Sequence, residues 1–513
     1  MIRKFIAIAL LLTAFVSLAR AADPPTTAPS RFVLTIYNPP EDQSLQPYYY
    51  NSNPNIDRTA DGFAVVREVR PIDLLLGDNM VRFTDVATAI DPTTVAFKSL
   101  TAPDSTAVLE QNYEYDLVSG DKLLQKYLGK AVTVHVGHQG ANAAAAPAVI
   151  QGDLLSFDPT SLVIQTNGSV EVIARAEVTQ VSLAAMDANL TVKPTLVWKI
   201  HAEQAGKHDA QVTYQTDNIG WRADYNLTLN AAESASDVGA WVTIRNQSGL
   251  TYPDASLKLV AGNVRRLANR PQPRAYALGG GGGFGGGAAV PQFQEQAFFD
   301  YHLYTLQRTT SLNNESTKQI ELFPTKANVP INKVYVYYGL PNQYRSGYSS
   351  AITSRDLGIE MNKQVDIYIQ MDNTEKNGMG MPLPAGHVRV YKADPVDKSL
   401  EFIGEDTIDH TPKDEKLSLR IGTAFDIVGE RRQTDFSATN RMIVESFEIV
   451  VKNHKADPVD VIVKENLFRW SSWEITAKSD NYDKMDSRTI HFPITVPANG
   501  QKTVTYTVRY MLP

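Results

Sequence analysis

The sequence predicts an all-β protein: several β-sandwich-like domains plus a small SH3-like barrel, with little helix. Three observations carry this. The chain holds 23 tyrosines alongside many Val, Ile and Thr, with turn residues at short intervals, which suits pleated, half-buried strands. Period-2 alternation runs through residues 502–510, where Val504, Tyr506, Val508 and Tyr510 share one face and Thr503, Thr505, Thr507 and Arg509 the other. Residues 365–371 alternate in the same way, and helix signals are few.

Taken from the N-terminus, residues 1–21 read as an export signal. Arg3 and Lys4 precede a nearly unbroken apolar run from Phe5 to Leu18, and Ala19 and Ala21 supply the small residues a signal peptidase reads. The apolar run is about fourteen residues, short of the ~20 that span a bilayer, so cleavage after Ala21 is expected over retention as an anchor. Cleavage removes Arg3, Lys4 and Arg20, leaving 46 basic against 56 acidic residues, and the net charge moves from −7 to −10. Such a surface repels phosphate backbones. No basic run exceeds the pairs Arg265-Arg266 and Arg431-Arg432, so no nucleic-acid partner is expected.

Cysteine is absent, which excludes disulfide stapling, thiolate metal sites, cysteine nucleophiles and a lipoprotein anchor. No later stretch reaches transmembrane length. The mature chain is long for a single core, which stops growing near ~250–300 residues, so two to four domains are expected.

The first, an N-terminal β domain, is placed at 22–129. It closes on a helix at 119–129, with Ser119 as N-cap, Leu123/Tyr127 and Leu124/Leu128 at i,i+4, and Gly129 as the stop. This helix reads as a connector. Five strand-like runs at 132–136, 148–150, 161–166, 170–173 and 178–183 then suggest the small barrel, at 130–185, with a flexible loop at 139–147.

A central β-sandwich follows at 186–355. It is interrupted at 268–298 by a Gly/Pro-rich stretch too poor in apolar area to offset its ordering entropy, read as a disordered loop. A C-terminal β-sandwich fills 356–513. Lys-Ala-Asp-Pro-Val-Asp occurs at 392–397 and 455–460, each time after a strand-like run, which reads as repeated turn chemistry.

Candidate chemistry is sparse. Gly280, Gly282 and Gly285 satisfy a loose G-x-G-x-x-G but have no strand before or helix after them. His135 and His138 would face opposite sides of a strand. Asp480, Asp483 and Asp486 recur every third residue, whereas calcium loops use alternate positions and a closing Glu, so a solvated turn fits better. No G-x-S-x-G elbow is present. Trp221, Trp470, Trp473 and Tyr482 could form a sugar-stacking platform, although such residues more often fill a sandwich core. No catalytic, cofactor-binding or metal residue is therefore assigned, and no cofactor is expected.

Three motifs occur in order: Gly220-Trp221-Arg222-Ala223-Asp224-Tyr225, then residues 241–249 ending Asn246-Gln247-Ser248-Gly249, then 257–262 ending Ala261-Gly262. Together with residues 381–391, 402–406, Ile421-Gly422 and 428–432, they make the chain resemble the mucoidy-inhibitor-like family of exported bacterial proteins, catalogued as domain of unknown function 4139. The resemblance covers roughly Thr195 onward. It implies an exported, β-rich protein without established activity, and it supplies no site residues. The long coiled coil common in that family is missing, and the small barrel stands in its place. The expected function is that of a soluble, exported, non-catalytic cell-envelope protein, periplasmic or extracellular, binding or scaffolding an unknown envelope protein or glycan. An envelope polysaccharide-binding protein or hydrolase is the alternative.

Overall fold

The computed structural model describes residues 31–38, 59–114, 120–137, 148–183, 194–266, 292–340, 351–355 and 361–512. The export segment, Ser119, the loop 139–147 and residues 268–291 of the glycine-rich stretch lie outside the described residues. The protein is mostly β-strand, arranged in five sheets with one α-helix among the described residues, so the all-β expectation holds.

Two sheets and part of a third enclose the larger core. An eight-stranded sheet runs in the order Phe293–Phe298, Tyr301–Leu306, Tyr252–Ala261, Phe32–Tyr37, Phe63–Leu74, Gly206–Asp217, Ile90–Ser99, with Thr310–Leu312 beside Tyr252–Ala261. A five-stranded sheet runs Ser316–Pro330, Ala235–Asn246, Ile219–Leu229, Gly386–Ala393, Leu400–Ile408. Alternate residues from both meet in one apolar cluster that includes Leu34, Ile36, Val212, Trp221, Tyr225 and Val388. A three-stranded sheet of Gly77–Thr84, Thr195–Ala202 and Thr106–Glu114 adds Trp198, whose ring lies 5.3 Å from Phe83 and 5.4 Å from Phe97.

The second core belongs to a nine-stranded sheet that includes Gln364–Asp372, Lys416–Ala438, Met442–Asn453 and Gly500–Met511. Val504, Tyr506, Val508 and Tyr510 are buried in it, as their alternation requires. The 23-residue strand Lys416–Ala438 serves both cores, placing Leu417 and Leu419 in the first and Ile427 in the second. Gly429 sits where a Cβ would come within 2.0 Å of the Tyr337 ring, so only glycine lets that ring cross the strand.

Charge is buried here as well. Arg431 Nε donates to Glu465 at 3.0 Å, and the Tyr506 hydroxyl donates to the same carboxylate at 2.5 Å. Arg469 Nε donates to Glu445 at 2.7 Å, and its Nη1 to the Ser354 carbonyl at 2.8 Å. All four charged side chains are at most 2% exposed, so each depends on its partner.

These sheets cross the boundaries expected from sequence. Strands from 22–129 share the eight-stranded sheet with strands from 186–355, and Gly386–Ala393 and Leu400–Ile408 complete the central sheet although they lie beyond 356. Conversely, Asn332–Tyr337 joins the C-terminal sheet. The cause is long-range pairing, partly antiparallel, as Gly206–Asp217 pairs with both Phe63–Leu74 and Ile90–Ser99, and partly parallel. Phe32–Tyr37 pairs with Tyr252–Ala261, Ile219–Leu229 with Gly386–Ala393, and Asn332–Tyr337 with Val459–Asn466. Strand patterns in a sequence do not name such partners.

Two further expectations change. The stretch 268–298 does not stay irregular to its end, because Phe293–Phe298 pairs with Tyr301–Leu306 as a hairpin. The helix, Gly120–Lys126, is no mere connector: Leu124 and Tyr127 enter the core of the five strands that follow, and Gly129 N donates to Leu154 O at 2.7 Å. Those strands pair antiparallel in the order Val178–Leu183, Ala131–Val136, Ala148–Phe157, Ser161–Gln165, Val170–Ala174, with a 3-10 turn at Arg175–Glu177 before the last in sequence. First and last strands thus lie side by side, in keeping with an SH3-like barrel.

Trp221 is fully buried, and its replacement by Ala is expected to lower the unfolding free energy by about 3–5 kcal/mol, read from urea unfolding. Glu465→Ala strands Arg431 without its main partner, and the same measurement should show a loss of about 3–5 kcal/mol.

Candidate functional site

Strand alternation that sends Trp221, Ala223, Tyr225 and Leu227 into the core aims Arg222, Asp224 and Asn226 at the other face of the five-stranded sheet. Pairing register then assembles a polar cluster from sequence-distant strands. Trp241 and His387 flank Asp224, Thr243 lies opposite Arg222, and Arg389 separates Asn226 from Glu405.

Asp224 is the hub. Its Oδ2 accepts from Thr243 Oγ1 at 2.5 Å and from Arg222 Nε at 3.4 Å, while Thr243 Oγ1 accepts from Gln319 Nε2 at 3.1 Å. Arg222 is steadied by Thr59 Oγ1, 3.2 Å from its Nη1. Arg389 stands between two carboxylates, Nη1 3.5 Å from Asp224 Oδ1 and Nε 3.6 Å from Glu405. Asp224 is buried beneath these side chains, yet Oδ1 makes no hydrogen bond among the described residues. Trp241 and Arg389 are half-buried and His387 is exposed, so the rim of the cluster meets solvent. Desolvation lowers the His387 pKa, with the Arg222 guanidinium adding to the effect.

Chemically, the face offers an acceptor without a hydrogen bond, fixed guanidinium donors, an amide and a partly open indole. Such a set can hold a polar ligand. Sequence reasoning missed Asp224, Arg389 and Trp241 as a group because a spacing of 165 residues between Asp224 and Arg389 carries no local signal. Only the strand alternation around Trp221 could have hinted at the polar face.

The residues weighed from sequence fall elsewhere. Trp221 is sealed in the core, its Nε1 donating to Val260 O at 3.3 Å, which removes it from any sugar platform. Trp470, Trp473 and Tyr482 pack half-buried against the second core, where Trp473 Nε1 donates to Ser487 O at 2.7 Å. Asp486 Oδ1 accepts from Arg488 N and Thr489 N as a turn cap, and Asp480 pairs with Lys502 at 2.8 Å. Among the described residues no three His, Asp or Glu gather as a metal site. His135 lies on Ala131–Val136, while His138 and Gly280, Gly282 and Gly285 are outside the described residues.

Fold and face together define a class: a multi-sheet all-β protein with a polar sheet surface. Residues 210–513 match the family described as Domain of unknown function (DUF4139), and the chain belongs to that family. The match begins in the strand Gly206–Asp217 and includes every residue of the polar face except Thr59. No curated protein matches the chain. Among the described residues no helix is long and apolar enough to cross a membrane.

Both His387 and His491 titrate below the ordinary histidine value of 6.5, through desolvation first and then nearby Arg222 and Lys464 respectively. The folded chain thus binds fewer protons than the unfolded one, so their contribution to stability is full above about pH 6.5 and declines as pH falls. The urea midpoint should drop between pH 7.5 and 5, and less steeply in a His387→Asn/His491→Asn double variant. An equal slope in the two proteins would contradict the assignment.

Proposed function

We propose that the protein is a non-catalytic binding protein of the bacterial cell envelope, exported by residues 1–21, that holds its partner on the polar face of the five-stranded sheet. The observation that carries this reading is Asp224: a buried carboxylate ringed by Arg222, Thr243 and Arg389 whose Oδ1 still lacks a hydrogen bond. Arg389 balances the charge of that oxygen at 3.5 Å, and a donor on a ligand would supply the hydrogen bond it lacks.

A binding role fits better than hydrolysis. Glycoside cleavage needs two carboxylates with the scissile bond between them. Here the space between Asp224 and Glu405 is taken by the Arg389 guanidinium. A second reading, an envelope glycan as the ligand, is favoured by Trp241, whose half-buried indole flanks Asp224 and could stack on the apolar face of a sugar ring.

Affinity capture from envelope fractions, with the mature chain as bait, tests this. Trp241→Ala and Arg389→Ala are expected to lose about tenfold or more in retained ligand while still folding, as read from circular dichroism. A defined protein partner lost in both variants supports the main reading, and recovery of glycan fragments alone favours the second. Retention equal to wild type in both variants would remove this face as the site.

A further inference from the structure

The repeated hexapeptide has a spatial counterpart. The first copy begins at the end of a strand and the second just after one, both lead into irregular segments, and their leading lysines reach two groups, Glu233 and Tyr335, that Lys333 links. Lys392 is the next-to-last residue of the strand Gly386–Ala393, and its Nζ donates to Glu233 Oε1 at 2.6 Å. Glu233 lies on the turn between Ile219–Leu229 and Ala235–Asn246. Its other oxygen accepts from Lys333 Nζ, on the strand Asn332–Tyr337. The Lys333 ammonium is also 5.5 Å from the centre of the Tyr335 ring. Lys455, leading the second copy, donates from Nζ to the hydroxyl of that same Tyr335 at 2.9 Å.

Three ammonium groups therefore bracket one carboxylate and one phenol, a local positive excess in a chain whose net charge is −7. The Lys333, Glu233 and Lys392 side chains are each about 30% exposed, so solutes reach them. Burial works to raise the Glu233 pKa, but Lys333 and Lys392 overcome it and bring it to about 2. The carboxylate is thus a fixed anion, with oxygens standing where those of a ligand would stand. Ammonium groups are compact charges with rotatable donors, suited to oxyanions of varied shape.

We propose that Lys333, Lys392 and Lys455 form a binding site for an oxyanion, the phosphate or carboxylate group of a ligand, which shares or displaces Glu233. Lys392 belongs to the sheet of the first core and Glu233 to a turn joining two of its strands, whereas Lys333 and Tyr335 belong to the sheet of the second, so a bound anion bridges the two.

Isothermal titration and thermal unfolding in sodium phosphate or sodium acetate, each against sodium chloride at equal ionic strength, test the site. The wild type is expected to bind phosphate or acetate and to melt higher than in chloride. Whichever anion binds more tightly by titration names the group recognised, since phosphate raises melting temperatures without a specific site. Lys392→Gln and Lys455→Gln should each weaken binding about two- to fivefold, whereas Glu233→Gln, which removes the competing carboxylate, should strengthen it by a similar factor. The opposite signs separate anion binding from a merely structural ion cluster, in which all three variants would destabilise the fold without altering the response to anion. No difference from chloride in the wild type, or an identical response in all four proteins, would overturn the proposal.

Discussion

A chain without cysteine must hold its sheets together by burial, and here the decisive burial is the single core that runs from Phe32 to Leu419. Neither the eight-stranded nor the five-stranded sheet could cover its apolar face alone. Trp221 and Tyr225 of one meet Leu34 and Val212 of the other in a continuous cluster. That requirement sets the topology: strands from the first hundred residues close over strands two hundred residues later, and the polar face exists because the opposite face is committed to this core.

The second core is stabilised differently. Arg431, Glu465, Arg469 and Glu445 are sealed among Tyr337, Phe447, Tyr506 and Tyr510. The guanidinium of Arg431 lies 3.8 Å from the centre of the Phe447 ring and that of Arg469 4.7 Å from Phe436, so the aromatic faces share in compensating the buried charge. Buried ion pairs add little net stability against apolar replacements, but each partner is intolerant of a misplaced neighbour. They bind Lys416–Ala438, Met442–Asn453 and Val459–Asn466 into one arrangement, and through Arg469 they fix the carbonyls of Ile352 and Ser354. The long strand shared by both cores couples this region to the first.

Much of this was legible residue by residue. Alternation at Val504, Tyr506, Val508 and Tyr510 reports a half-buried strand directly, because side chains on a strand have a period of two. The five short runs of the small barrel were equally clear, since neighbours in its sheet are mostly neighbours in sequence. Domain limits were not, because three parallel pairings join strands about 125 to 225 residues apart, and antiparallel pairings tie Gly206–Asp217 to strands more than a hundred residues earlier. Trp221 illustrates the same gap at a single residue: an aromatic in a strand is apolar area to a reader of sequence, and only packing decides whether it faces ligand or core. Asp224 looked like one of 56 acids until register set it between Trp241 and His387.

The sequence by itself determined the local terms: strand period, turn chemistry, the absence of disulfides, and membership of a β-rich family carried by short motifs such as Trp221 to Tyr225. Those depend on neighbours along the chain and on composition. Tertiary structure alone decided which strands share a sheet, which charges are sealed and which face stays polar. It also decided that Lys392 and Lys455, identical in local sequence, converge on Glu233 and Tyr335. The reason is physical: burial and pairing are summed over contacts between residues far apart in the chain, and no single stretch of sequence holds that sum.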